Sequence, residues 1–287
     1  MAEVFGAVAG AISIAALFNN CIDCFDYIQL AKSFGEDFSR YQLRLDVAKC
    51  RLSRWGAAID INNDSRFLGE MSSDPTVELA KNVLREIVES FGTAHRTSLR
   101  YKAASKEQST ATCGEADLEI VSQRLHNRFR TLTIQRLSRV SLIKKAYWAI
   151  YDKDHMGRVI DGIFNLLNEL EKVCPTIPQA TRELAEMEIK EVSDQQELKM
   201  IQNVAKGLDP VLEDTTKSKI RGITGMNTVG RIDTRGRANV GYTFATESLT
   251  HSEGFRDNTT NRVNEIIGGE NSRVNVGNTY GGTGFWD

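Results

Sequence analysis

Proline is scarce in this chain and stops early: the four residues stand at 75, 175, 178 and 210, and none follows up to Asp287. A long proline-free end keeps every backbone N–H available for strand pairing. Cysteine offers no scaffold either. Cys21, Cys24, Cys50, Cys113 and Cys174 are five in number and widely spread, which excludes the disulfide framework of a small secreted domain and reads as free thiols in a reducing compartment. Cys21-x-x-Cys24 has no second such pair and no histidine pair beside it, so it reads as one turn of a buried helix. The four histidines, His95, His126, His155 and His251, stand apart. No HExxH, GxSxG or P-loop is present, and Asp60-Ile-Asn-Asn-Asp64 opens like an EF-hand but lacks glycine at its sixth position and glutamate at its twelfth. The sequence thus names no catalytic, cofactor-binding or metal-binding residue, and the chain reads as a non-enzyme. A net charge of −2 lacks the basic excess of a nucleic-acid binder.

Charge is missing between Glu3 and Asp23. A secretory signal needs lysine or arginine ahead of its apolar run, and here only Glu3 precedes it, so the chain is expected in the cytoplasm. Val4 to Ile22 would span about 28 Å as a helix, against a hydrocarbon core of about 30 Å. Val4, Phe5, Ile12, Ile14, Leu17, Phe18 and Ile22 supply its apolar surface, and Gly6-x-x-x-Gly10 sets two small residues on one face, as in close-packed membrane helices. The same residues equally make a buried helix of a soluble bundle. Acid is missing between Ile120 and Tyr151, where Arg124, Arg128, Arg130, Arg136, Arg139, Lys144 and Lys145 occur. That stretch either recruits anionic lipid or is a solvated face neutralised by acidic neighbours in the fold.

What the chain does have, up to about Lys217, is helical periodicity. Phe38, Tyr41, Leu45, Ala48, Leu52, Trp55 and Ile59 recur in steps of three and four, a stripe that demands partner helices. Val77, Ala80, Leu84, Ile87 and Phe91 form a second stripe behind Asp74-Pro75, an N-cap with proline in the first turn. Further helices are expected over 118–132, 140–151, 159–173 and 184–208, with no strand before Leu212. Residues 1–217 should therefore be an all-α bundle of long helices.

Beyond Lys217 the composition changes. More than half of the 22 glycines lie there, with many asparagines and a single leucine, Leu249. Such a segment buries too little apolar area to order as a monomer. It nevertheless repeats itself. Arg237-Ala-Asn-Val-Gly-Tyr-Thr-Phe244 matches Arg273-Val-Asn-Val-Gly-Asn-Thr-Tyr280, and Asn227-Thr-Val-Gly-Arg-Ile232 matches Asn261-Arg-Val-Asn-Glu-Ile266. Each copy reads as a strand, a glycine-bearing corner and a second strand. Alternation sets Val229, Ile232, Ala238 and Val240 of one copy against Val263, Ile266, Val274 and Val276 of the other, as a candidate amyloid core. Asn227 over Asn261 and Asn239 over Asn275 are candidate amide ladders, Arg231 over Glu265 is an opposite-charge pair, and Gly241 and Gly277 are corners. Two layers alone leave both edges unpaired, and further molecules satisfy them. The expected tail, 218–287 with copies at about 227–244 and 261–280, is disordered as a monomer and a two-layer β-solenoid when assembled.

These repeats, with Thr259-Thr-Asn, Ser272-Arg-Val-Asn-Val-Gly-Asn and the aromatic close Tyr280-Gly-Gly-Thr-Gly-Phe285-Trp286-Asp, make the tail similar to the prion-forming region of the fungal HET-s/HET-S heterokaryon-incompatibility family. Phe5-Gly, Val8-Ala-Gly-Ala, Leu17-Phe-Asn-Asn-Cys, Asp23-Cys-Phe, Leu43-Arg-Leu-Asp and Arg51-Leu-Ser-Arg-Trp-Gly resemble its helical HeLo domain. The resemblance implies a tail templated into amyloid by another copy, by allelic or paralogous family members, or by a repeat-like motif on a nucleotide-binding immune-type receptor. In active members the HeLo domain then refolds, frees its N-terminal segment and damages the plasma membrane, killing the cell; other members act only as prions. This chain departs from the family pattern at Tyr242, opposite Asn278, and in the unequal length of its copies.

Overall fold

The structure, a computed structural model, describes residues 12–70, 73–104, 111–137, 147–224, 226–244 and 259–280. The chain divides into two compact units, residues 1–216 and 217–287.

The first unit is built on helices α1 (Ile14–Asp26), α2 (Phe38–Ala58), α3 (Ser65–Leu68), α4 (Pro75–Ala104), α5 (Ile120–Leu137), α6 (Lys153–Val173), α7 (Pro178–Ile189), α8 (Gln195–Ala205) and the start of α9 (Pro210–Thr224), with strands β1 (Ile28–Leu30) and β2 (Trp148–Ile150). Short polar side chains start the helices by accepting orphan N–H groups. Ser13 accepts from Ala16 N at 3.2 Å, Asp74 from Thr76 N at 2.8 Å, Asp194 from Gln196 N at 2.7 Å and Asp209 from Leu212 N at 3.1 Å.

Helix α2 is the hub, in contact with α1, α5, α6, α7 and α8. Its stripe of Phe38, Tyr41, Leu45, Ala48, Leu52 and Trp55 is buried. Gly56 stands in the last turn of α2, where a Cβ would lie 2.3 Å from the Phe18 ring of α1. The opposite face of α2 is charged and also buried, which is costly unless every charge is paired. Arg54, 2% exposed, reaches Glu188 of α7 at 3.0 Å and also Asp209, the α9 cap. Arg136 of α5 meets the same Glu188 at 2.7 Å, and Arg51 forks onto Glu171 of α6 at 2.7 and 2.8 Å. Burial alone would lower the Arg54 pKa, but the charges of Asp209 and Glu188 outweigh it and raise the pKa, keeping the guanidinium protonated.

Three expectations need correction. Residues 147–151, read as the end of a helix over 140–151, contain β2, which pairs in parallel with β1 in the register Ile28↔Trp148 to Leu30↔Ile150. This also overturns the expectation of no strand before Leu212; a short, fully apolar run carries no period that separates strand from buried helix. Residues 184–208 are two helices, because Val192 turns into the core and Asp194 caps a new start. Of the two readings of the basic stretch, the described pairs follow the face neutralised by acidic neighbours: Arg124 meets Glu197 at 2.5 Å, Arg128 meets Glu191 at 2.9 Å, and Arg136 is buried on Glu188. Arg139, Lys144 and Lys145 lie outside the described residues.

Two consequences are measurable. Asp209→Ala leaves Arg54 under-compensated in the core and should cost about 3–5 kcal/mol in urea denaturation of the helical unit; a loss under about 1 kcal/mol, the size of an ordinary surface ion pair, would show that the cluster is not structural. His126 Nδ1 lies 2.8 Å from the Asp46 carboxylate across α5 and α2. Burial works to lower its pKa, yet the hydrogen bond and charge of Asp46 prevail and raise it. A raised folded-state pKa gives stability that is present in full below the unfolded value of about 6.5 and is lost as pH rises through the folded value. The melting temperature lost in His126→Ala should therefore be larger at pH 5 than at pH 8; an equal loss at both would contradict the ionic pairing.

Candidate polymerisation site

The second unit carries β3 (Met226–Thr234), β4 (Arg237–Val240), β5 (Thr243–Phe244), β6 (Thr260–Gly268), β7 (Arg273–Val276) and β8 (Thr279–Tyr280). Each strand of the first copy pairs in parallel with its counterpart in the second: β3 with β6, β4 with β7, β5 with β8. This is a two-layer solenoid, in which the chain goes once around and then stacks on itself.

Asn227 pairs with Asn261, Val229 with Val263, Arg231 with Glu265 and Ile232 with Ile266. Beyond the corner, Ala238 pairs with Val274, Asn239 with Asn275 and Val240 with Val276. The longer second copy is absorbed in that corner, where Arg235-Gly236 joins β3 to β4 but Gly269–Ser272 joins β6 to β7. Asn271 takes a φ of 70°, a left-handed conformation that asparagine tolerates better than most residues.

Polar side chains join the layers at several points. Asn227 Nδ2 donates to Asn261 Oδ1 at 2.8 Å, and Asn275 Nδ2 donates to Asn239 Oδ1 at 2.6 Å. Asn239 and Asn275 also donate to the carbonyls of Gly241 and Gly277 in their own layers, at 3.3 and 3.1 Å. Arg231 lies 3.6 Å from Glu265, with both side chains more than half exposed, so their attraction is screened and guides register more than it stabilises. Asn278 is a polar hub that sequence reasoning missed. Its Oδ1 accepts from Tyr242 N at 2.8 Å and from Asn261 Nδ2 at 3.1 Å. The signal was the unmatched Asn278 itself: facing tyrosine, its amide turns to the backbone of the layer below.

Burial is unequal between the copies. Ile232 and Val240 are 9% and 8% exposed, whereas Ile266 and Val276 are 48% and 39% exposed. Ile266 and Val276, read as core from the sequence, are thus uncovered in the single chain. Val229, Ala238, Val263 and Val274 are half-buried. Tyr280 closes β8, and Phe285 and Trp286 lie outside the described residues.

Of the uncharged N-terminal segment, Val4, Phe5, Gly6 and Gly10 lie outside the described residues. Ile14, Leu17, Phe18 and Ile22 are buried on α1, with Ile12 half-buried just before it. Helix α1 runs on through Asp23 and Asp26, and among the described residues no helix is long and apolar enough to cross a membrane. Cys21 and Cys24 are buried there; burial pushes the Cys24 thiol up to about 12, and Cys21 donates to Leu84 O at 3.1 Å.

Comparison with known proteins gives both units a family. The HeLo family model, described as prion-inhibition and propagation, matches residues 6–201, and the model described as Het-s 218-289 matches residues 219–281. Heterokaryon incompatibility protein s of Podospora anserina is 42% identical over 289 aligned positions, covering 100% of both chains. Heterokaryon incompatibility protein S of the same species is 41% identical with the same coverage. The solved HET-S N-terminal domain superposes with a TM-score of 0.74 at 41% identity, covering 77% of this chain and 99% of that one. A doubly substituted HET-s N-terminal domain gives 0.70 at 40% identity, covering 72% and 98%. A HeLo helical domain followed by a self-stacking tail defines a prion protein. The chain belongs to the fungal HET-s/HET-S heterokaryon-incompatibility family.

The opposed charges generate a test of the register. Reversing either Arg231 or Glu265 should slow seeded fibre growth, and reversing both should recover most of the lost rate. A double reversal as slow as the worse single one would mean that these residues do not face each other in the assembled state.

Proposed function

We propose that the chain is an amyloid-signalling protein of fungal heterokaryon incompatibility: the tail adopts its solenoid on a template of the same shape and joins a homopolymer, and this event activates the helical domain for membrane damage and cell death. The observation that carries the self-assembly is the one-to-one pairing of two copies within one chain. A chain that stacks on itself in register presents at each end a surface of the kind its own other copy already binds. Allelic or paralogous relatives with the same repeat would serve as templates, as would a receptor bearing a repeat-like motif.

The second half of the reading rests on the N-terminal segment. Val4 to Ile22 is free of charge, and its apolar side chains from Ile14 onward are held inside the bundle. Release of that segment would offer lipid a helix of about the right length. Chain continuity supplies a trigger: residues 219–224 are the end of α9 and also fall within the tail match. A cytoplasmic protein that moves to the plasma membrane on activation follows. The alternative, a prion or scaffold without membrane activity, is favoured by α1 continuing past Ile22 through Asp23 and Asp26, so that only part of this helix is charge-free.

Dye release from anionic liposomes separates the two. Full-length protein with preformed fibre seeds should release dye, and protein without seeds should not. Ala11→Lys, which puts a charge into the span at a cost of about 2.5–3.5 kcal/mol if it lies near the membrane centre, and deletion of residues 1–22 should both abolish release while tail fibres still form. Undiminished leakage from both variants would overturn the membrane helix, and fibres without leakage from the wild type would leave the prion reading alone.

A further inference from the structure

We infer that the polymerised tail carries an anion-binding rail, the line of Arg237 and Arg273 side chains repeated along the filament, and that its occupant is the headgroup layer of an anionic lipid bilayer. The inference rests on the self-assembly reading above and adds to it a surface that only the polymer possesses.

Charge on the tail is sorted by column. Arg231 faces Glu265, so that column cancels within each molecule, and Asp233 lies 3.4 Å from the same Arg231. Arg262 faces the neutral Thr228. The corners hold one charge of each sign, Arg235 in copy one and Glu270 in copy two. At Arg237 the partner is Arg273, the one like-charged pair among the described registers, and both residues are exposed. With Ala238, Val240 and Val274 turned to the core side, alternation sends Arg237, Asn239, Arg273 and Asn275 to the outer face of β4 and β7. These two strands contain no acid. Like charges directly opposite each other are destabilising, and an anion laid across both relieves that cost.

Strands stack about 4.8 Å apart, inside the screening length of about 8 Å at physiological salt. In a polymer continuing this register the arginines therefore act on a surface as one line of charge. Each arginine close to an anionic bilayer strengthens attachment about fivefold. A single chain offers two of them, for a marginal gain of about 25-fold. About ten stacked molecules offer about twenty on one rigid line, and the gains compound until detachment is negligible. The polymer thus binds where the single chain does not, and every molecule in it arrives at the membrane with its own helical unit attached. A bilayer presents its anions in a continuous plane, which a straight line of cations meets in any register. A nucleic-acid strand is the poorer occupant, because β4 and β7 carry no aromatic ring for bases to stack on. A surface that binds only the polymer must also promote its growth.

The test is flotation of full-length filaments with vesicles of phosphatidylcholine alone or with added phosphatidylserine. Wild-type filaments should float with the anionic vesicles only, and should be released at about 1 M salt, where the screening length is about 3 Å. Unassembled protein should stay behind. Filaments of the double variant Arg237→Gln, Arg273→Gln should need at least about tenfold more anionic lipid for half-flotation, because glutamine keeps a stacking amide but no charge. Each single variant halves the line and should fall between, which keeps the test decisive if the double variant does not assemble. Arg231→Gln with Glu265→Gln, which empties a self-cancelling column, should leave flotation unchanged. Filaments of Ala11→Lys should float like the wild type, so failure of the membrane helix and failure of the rail are told apart. Undiminished flotation of the arginine variants, equal flotation of unassembled protein, or capture of filaments by RNA but not by anionic vesicles would overturn the proposal. Absence of filaments from the wild type would instead remove the self-assembly reading beneath it.

Discussion

A solenoid tolerates nothing that projects along its axis. Each layer must lie within about 4.7–4.9 Å of the next, so every residue of the tail is judged by whether its identical neighbour can sit directly on it. Asparagine passes because its amide can donate upward and accept from below. Valine passes by stacking on valine. At the corner only glycine passes, since the carbonyl of Gly277 occupies the space that any Cβ on Gly241 would need. Like charges are borne only where water screens them, as at Arg237 over Arg273. The poverty of the tail in leucine is thus compatible with order: large flexible side chains fill a bundle core, but stacking favours flat, repeating shapes.

The helical unit solves the opposite problem. Its apolar residues are plentiful and bury themselves, so its specificity comes from charges placed where they can find only one set of partners. Arg54 is compatible with the core only if α7 brings Glu188 and the α9 start brings Asp209. Removing either acid would leave the buried guanidinium under-compensated, at a cost of about 3–5 kcal/mol. The same Asp209 caps the helix that leads out of this unit into the tail, which ties the first turn of α9 to the buried guanidinium of Arg54.

Much of the tail was legible in the sequence because parallel in-register stacking is a one-to-one comparison of residues. Asn239 and Asn275 can be matched by eye, and so can the two extra residues around Gly268-Gly269, since each position's partner is its own repeat. The central stripe of α2 and the capped start of α4 at Asp74-Pro75 were legible for a related reason, as both are patterns within a few turns of one helix. The reading faltered where a residue's state depends on chain far away. Trp148-Ala-Ile150 became a strand because Ile28–Leu30 offers it backbone partners more than a hundred positions earlier. Arg124, Arg128 and Arg136 were open between a lipid-facing and a neutralised face, and only the folded chain brings Glu197, Glu191 and Glu188 to them.

The sequence by itself determined that the stripes of α2 and α4 are helical, where the repeats begin and how they align, because local periodicity and internal identity need no knowledge of the rest of the chain. Only the tertiary structure decided that Arg54 is a core residue, that the helix over 184–208 breaks at Asp194, that Asn278 serves the backbone of Tyr242, and that identical valines in the two copies have different exposures. Each of these depends on what lies across a gap of a few ångströms in space and many residues in sequence. Burial and pairing are properties of neighbours, and no single stretch of chain contains its own.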